Sequence, residues 1–231
     1  AARTGKTYCV SQNYRYSPAT WTMAQQIQAG DLGPVGQVKI DFFKGIDFGG
    51  GFRHDMPFPV IVDMAIHHFD LIRFITGLNA VQVQGSAWNP PWSNYAGDCS
   101  STALFTMDNG ARILYNASWC AKGDLCDWNA NWQIECEKGT LVYSHGKLER
   151  LSVPELYKVE ETTTVPLVDP PKGGQNYVLD DFIRSIESGT RPKTDVVDNI
   201  RSVAMVFATV AAMESGQPVP VLDADIRAML G

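Results

Sequence analysis

The chain has 231 residues, of which 45% are hydrophobic and 19% charged, and its formal net charge is −6. This is the composition of a globular protein with ample core, long enough for one large domain or two small ones. The acidic balance, with no run of Lys and Arg, argues against a nucleic-acid partner, and no apolar stretch reads as a membrane span or secretory leader.

In chain order, "KTYCVSQ" reads as a short buried strand, broken by "NYRYSP". Residues 19–29 have helical spacing, with Gly30 as the stop. "QVKIDFF" alternates Val38, Ile40 and Phe42 with Lys39 and Asp41, the pattern of a half-buried strand. A Gly-rich loop, "GIDFGGGFRHDMPFP", leads into a helix over 59–76, begun by Pro59 and closed by Gly77.

After Gly77 the period changes. Seven short strand-like runs follow, from "AVQVQGSAW" to "LYKVEETTTV", with hairpin turns at "DNG" (108–110) and "SHG" (144–146). No long helix separates them, so they are expected to be antiparallel neighbours. Residues 175–188 and 195–214 then read as amphipathic helices stopped by Gly189 and Gly216. The expected fold is α+β: a large open, predominantly antiparallel sheet covered on one face by helices. "ARILYNASW" puts Ala111, Ile113, Tyr115, Ala117 and Trp119 on one face and Leu114 on the other. "STALFTM" likewise puts Leu104 opposite Ala103 and Phe105. Apolar residues on both faces predict that the second face is covered too, by another copy of the chain.

The octet "DMAIHHFD" (63–70) holds two acids and two of the four histidines. At about 100° per residue, Asp63, His67 and Asp70 fall on one helical stripe, with Asp63 and His67 able to touch as an i, i+4 pair. His68 points into the apolar side and reads as a core histidine. A metal site would want a second histidine at i, i+4, which His68 does not supply, so none is expected. Two readings stay open on geometry alone: a structural Asp–His pair, or acid–base chemistry in which the carboxylate fixes the imidazole tautomer. Arg53 and His54, on the Gly-rich loop, offer contacts to a polyol or an acidic substrate group. Trp119 and Trp128 offer faces for the rim of a sugar pocket, although Trp in sheet proteins more often fills cores. Five cysteines, an odd number without CxxC spacing, fit reduced thiols in a cytoplasm.

"GGG…DMAIHHFDLIRFITG", with "QNYRYSPATWTMAQQIQAGDLGPVGQV" before it and "YVLDDFIRSIESGTRPKT" near the end, resembles the Gfo/Idh/MocA oxidoreductases over nearly the whole chain. The resemblance implies an N-terminal Rossmann domain that binds NAD or NADP and a C-terminal α+β domain, similar to that of glyceraldehyde-3-phosphate dehydrogenase, that binds substrate. There is no GxGxxG here and no βαβ unit, and the family's EKP lysine is missing. Residues 1–13 therefore resemble the end of a Rossmann domain, and residues 14–231 a substrate-binding and oligomerisation domain. By the same resemblance, Asp63 and His67 are the catalytic pair and Asn13 and Arg15 lie near the cofactor. Asp70 matches the motif's last acid but reads as structural. The substrate is expected to be a sugar, polyol or related hydroxy compound, and the chain alone is expected to bind no cofactor. Homodimers or homotetramers would form through the open sheet face. The alternative is a non-catalytic binding or assembly module.

Overall fold

The computed structural model describes residues 3–222. A 3-10 turn, Asn13–Tyr16, leads into α1, Pro18–Gln28. Pro18 suits the first turn of α1, and Ser17 caps it by accepting from the Thr20 backbone N–H. β1, Val35–Phe43, follows, with Val38, Ile40 and Phe42 fully buried as their alternation predicts. A loop with a short helical turn, α2 (Phe52–Asp55), carries the chain to the helix that ends as α3, Ala65–Thr76. The strands β2 (Ala80–Trp88), β3 (Ser100–Met107), β4 (Arg112–Ser118), β5 (Asn131–Cys136), β6 (Gly139–Ser144), β7 (Lys147–Ser152) and β8 (Glu161–Val165) come next. Helices α4 (Gly174–Ser188) and α5 (Val196–Ser215) follow, and β9, Val219–Pro220, adds a last short edge.

All nine strands form one sheet in the order β8-β7-β6-β5-β1-β4-β3-β2-β9. Every neighbouring pair is antiparallel except β1 with β4. That parallel pair arises because β1 is the first strand in sequence yet lies in the middle, and the chain returns to the sheet only after α3. Both hairpins fall where expected. His145 and Gly146 take positive φ at the β6–β7 turn, as does Gly110 between β3 and β4.

The core lies between one sheet face and the helices. Ala111, Ile113, Tyr115, Ala117 and Trp119 are all buried, on the side their alternation assigns. Phe69 of α3 meets the edges of Phe105 and Tyr115. By length and composition alone α5 could cross a membrane. Its Ser202, Met205, Thr209 and Ala212 are buried in the protein, as in a core helix packed on β2.

Two expectations need correction. The run "KTYCVSQ" is not a buried strand. Tyr8 is 55% exposed, and the segment makes a single bridge, Cys9 to Asp195, against the turn before α5. The helix over 59–76 is not uniform, because Val60–Met64 is a π turn, whose wider winding breaks the 100° arithmetic used for the stripe. Of the helices, α4 packs against the Asn13–Tyr16 turn and α1 packs with α3. This leaves Leu179, Ile183 and Ile186 of α4 exposed.

Candidate functional site

The candidate site gathers at the start of α3. In the loop before it, Gly49, Gly50 and Gly51 have φ of +73, +89 and +86. Three consecutive left-handed residues are open to glycine alone, so the triplet fixes the path that delivers Arg53. The Arg53 Nε donates to Asp63 Oδ2 at 2.9 Å. The guanidinium also lies 4.6 Å from the Phe52 ring centroid and 5.0 Å from that of Phe48.

The partner of Asp63 is therefore Arg53 and not His67. His67 is half-buried, its Nδ1 is buried with no hydrogen-bond partner, and no contact places either nitrogen on Asp63. Its ring stacks on Tyr14, with centroids 4.3 Å apart and planes at 21°. Burial lowers the His67 pKa, while the charges of Asp70 and Asp63 pull it back up. The imidazole is thus neutral near pH 7, and an unpartnered nitrogen on a neutral ring can accept a proton.

Tyr14 also faces a cavity of about 380 Å³ that it lines with Asn13, Tyr16, Ser17, Trp128, Asn129 and Gly174. Asn13 and Trp128 are thereby brought together with the residue that covers His67. Trp128 is positioned by His68. The Trp128 carbonyl can only accept, so His68 Nε2 donates to it at 3.1 Å, and Nδ1 accepts from the Tyr115 hydroxyl at 2.9 Å. His68 is fully buried, and burial drives its pKa down to about 3. It is a core histidine, as its apolar face predicts, and it also holds a residue of the candidate site.

Other expected site residues lie elsewhere. Arg15 does not face the cavity. It is buried, with Nε and Nη2 donating to both oxygens of Asp70 at 2.6 and 2.7 Å, and Ser202 Oγ adds a third bond to Asp70 at 3.0 Å. An arginine held in this way has no fork free for a cofactor. The placement of Asp70 agrees with the structural role its sequence suggests. Trp119 is 1% exposed, packed on Phe48 and Tyr95, so it cannot form a rim. His54 is buried too, stacked 4.6 Å from Tyr95 with Nε2 3.2 Å from Asp47 Oδ1, and it anchors the turn that carries Arg53, the residue before it. Tyr14, Tyr95 and Asn129 escaped the sequence reading because each acts through a contact distant in sequence. Among the described residues no cluster of three or more His, Cys, Asp or Glu could hold a metal.

The chain is thus a large open sheet backed by helices, with an imidazole, a carboxylate and an arginine gathered at the start of α3. The fold matches that of an oxidoreductase from Agrobacterium radiobacter solved with NAD+, L-tartaric acid and magnesium (TM-score 0.84, 19% identity, 99% of this chain and 68% of that one). Residues 20–142, more than half of the chain, match the GFO/IDH/MocA C-terminal domain, and the chain belongs to that family. A Sinorhizobium fredii protein, y4oX, is 27% identical over 228 residues, 95% of this chain and 63% of its own length. A D-apiose dehydrogenase from Paraburkholderia graminis is 23% identical over 236 residues, 94% of this chain and 60% of its own. The chain thus spans less than two thirds of the length of these curated relatives.

Proposed function

We propose that the chain is the substrate-binding part of an NAD(P)-dependent dehydrogenase that oxidises a hydroxyl of a sugar, polyol or related compound. One observation carries the proposal: a half-buried His67, its buried Nδ1 without a hydrogen-bond partner, stacks on Tyr14, and Tyr14 lines a cavity with Asn13 and Trp128. The polar amide and aromatic face suit a polyhydroxylated ligand. A dehydrogenase named for a sugar among the relatives supports the same substrate class.

In this reading His67 takes the proton of the substrate hydroxyl. Asp63 stabilises the imidazolium that results, and Arg53 holds Asp63 in place while partly offsetting its charge. NAD(P), when bound, supplies the hydride acceptor. The residues here fit the substrate side of that reaction better than the cofactor side, since no GxGxxG fingerprint joins a strand to a helix among the described residues to receive a pyrophosphate. We place the cofactor in a preceding domain, of which residues 1–13 are the end. The exposed Leu179, Ile183 and Ile186 of α4, next to a cleft lined by Cys9 and Ser11, are a surface on which such a domain could dock.

The test has two parts. The chain alone, titrated calorimetrically with both nicotinamide cofactors, should show no micromolar binding. A form carrying a cofactor domain should reduce NAD+ or NADP+ with a member of a sugar and polyol panel. Loss of that activity in His67→Ala would support the acid–base role. Unchanged turnover in His67→Ala would overturn the acid–base role and leave the octet structural, and no turnover of any panel member with either cofactor would leave the second reading, a non-catalytic binding or assembly module.

A further inference from the structure

The far ends of β3 and β4 hold a second cluster of reactive groups. Cys99 immediately precedes β3, and Cys120 lies two residues beyond β4. The Trp119 N–H donates to the Cys99 carbonyl at 3.0 Å, so the strands remain paired up to the cysteines. The two Sγ atoms are 2.7 Å apart, with no side chain between them. Ser100 and Ser118 hydroxyls each lie 3.5 Å from Cys120 Sγ, and Ser93 Oγ lies 3.2 Å from Cys99 Sγ.

The two thiols differ in access. Cys99 is fully buried. Cys120 is half-buried and lines a cavity of about 570 Å³ with Trp88, Trp92 and Lys122. Lys122 stands over the Trp92 ring and brings a positive charge to that cavity. This cavity shares no residue with the one beside Asn13.

The thiols differ in acidity too. Burial raises the Cys120 pKa, but the bonds offered by Cys99, Ser100 and Ser118 outweigh it, and the net shift is downward. Cys99 is pushed up to about 11, chiefly by burial. An accessible thiol of lowered pKa beside a buried one is the arrangement in which the first is oxidised and the second resolves it. Among the described residues, Cys9, Cys126 and Cys136 have no cysteine partner.

We propose that Cys99 and Cys120 form an oxidation site for small hydroperoxides, with Cys120 as the attacking thiol and Cys99 as the resolving one. The Cys120 thiolate attacks one peroxide oxygen and the O–O bond breaks. With hydrogen peroxide this leaves a sulfenic acid on Cys120 and releases hydroxide. Cys99 sulfur, losing its proton, then attacks the Cys120 sulfur and displaces the hydroxyl group. In sum, two thiols and one hydrogen peroxide give a disulfide and two waters. Two sulfurs are each oxidised by one electron, and the peroxide oxygens take both electrons.

The experiment uses the purified chain, fully reduced, desalted and treated with equimolar hydrogen peroxide. The free thiols are then blocked with iodoacetamide, and the protein is digested with trypsin without reduction. Cleavage after Arg73, Arg112 and Lys122 puts Cys99 in peptide 74–112 and Cys120 in peptide 113–122, away from the other three cysteines. The expected result is loss of two of the five free thiols, the two peptides joined, and reversal by dithiothreitol. Cys99→Ser should leave a sulfenic acid on Cys120 that dimedone traps, and Cys120→Ser should leave Cys99 unmodified. Five thiols still alkylated in the wild-type chain would overturn the proposal. So would a bond to Cys9, Cys126 or Cys136, or Cys120 passing to the sulfinic acid without a cross-link. The wild-type peptide map decides alone if either variant misfolds.

Discussion

Arg53 Nε stands 2.9 Å from Asp63 Oδ2, so an arginine holds the carboxylate that sequence spacing assigns to His67. The expected consequence is a tunable base. In an active form carrying a cofactor domain, His67→Ala should lower kcat by about 10²–10⁴, the worth of a positioned acid–base group. Asp63→Asn should lower it too, by removing the charge that favours the imidazolium.

Arg53→Ala should act on the pH profile. His67 must be neutral to accept a proton, so the rate of hydroxyl oxidation falls as pH drops through its pKa. Burial sets that pKa below 6.5, and the Asp63 charge opposes the shift. Removing Arg53 leaves that charge less offset, so the acid limb of kcat/KM should move to higher pH. In Asp63→Asn it should move to lower pH. A limb that stays in place in both variants would show that His67 is not the titrating base.

The buried Arg15–Asp70 pair makes a stability prediction. Asp70 accepts from Arg15 twice and from Ser202, and Arg73 Nη1 donates to the same Ser202 at 2.9 Å. Asp70→Ala leaves the Arg15 guanidinium charged and buried, which should cost about 3–5 kcal/mol. Urea denaturation should show this as a lower midpoint with an unchanged slope. Arg53→Ala, which breaks a more exposed pair, should leave the midpoint nearly where it is.

His68 predicts an acid-sensitive core. Its pKa is about 3 in the fold and 6.5 unperturbed, so between those values the unfolded chain binds a proton that the folded chain does not. Stability is therefore full above the unfolded value and falls as pH drops through the window, by about 1.4 kcal/mol per pH unit at the limiting slope. His67, also lowered, contributes with the same sign. Between pH 7 and pH 5, the loss from His68 alone should be roughly 2 kcal/mol in denaturant titrations. His68→Gln, which keeps a donor and an acceptor but cannot titrate, should flatten that part of the dependence.

The sheet was legible because period-2 alternation reports burial directly. It put Ile113, Tyr115 and Ala117 on one face, which proves to be the buried one, and "DNG" and "SHG" marked the hairpins. The same alternation placed Trp119 inside, and the expectation of a rim position ignored it. The site was legible only in part. Nothing in the apolar pattern marks the wider winding of the π turn at Val60–Met64, so α-helix arithmetic paired Asp63 with His67. Arg53 reaches Asp63 through a glycine triplet whose path a linear pattern does not encode. The pairing of Arg15 with Asp70, and the stacking of Tyr14 on His67, are long-range contacts that no local spacing reveals.

The uncovered face of the sheet leads to the last prediction, that the chain self-associates. One row across this face runs Gln84, Leu104, Leu114, Lys39, Gln133, Val142 and Glu149 in register. Leu104 is 37% exposed, and Leu114 and Val142 are part-buried. The face is less apolar than the sequence suggested. In the next row Thr102 donates to Asn116, Asn116 to Asp41, and Lys39 pairs with Asp41. These groups satisfy one another within the sheet, so they can be covered at lower desolvation cost than free polar groups. A face of this kind suits a polar, self-complementary contact between two copies related by a twofold axis. Light scattering on a sizing column at micromolar concentration should give a dimer, or a tetramer built from dimers. Leu104→Glu, which places a charge in the central row of both copies, should shift the mass to that of one chain with unchanged circular dichroism. A wild-type chain that elutes as a monomer would mean that this face is simply solvated.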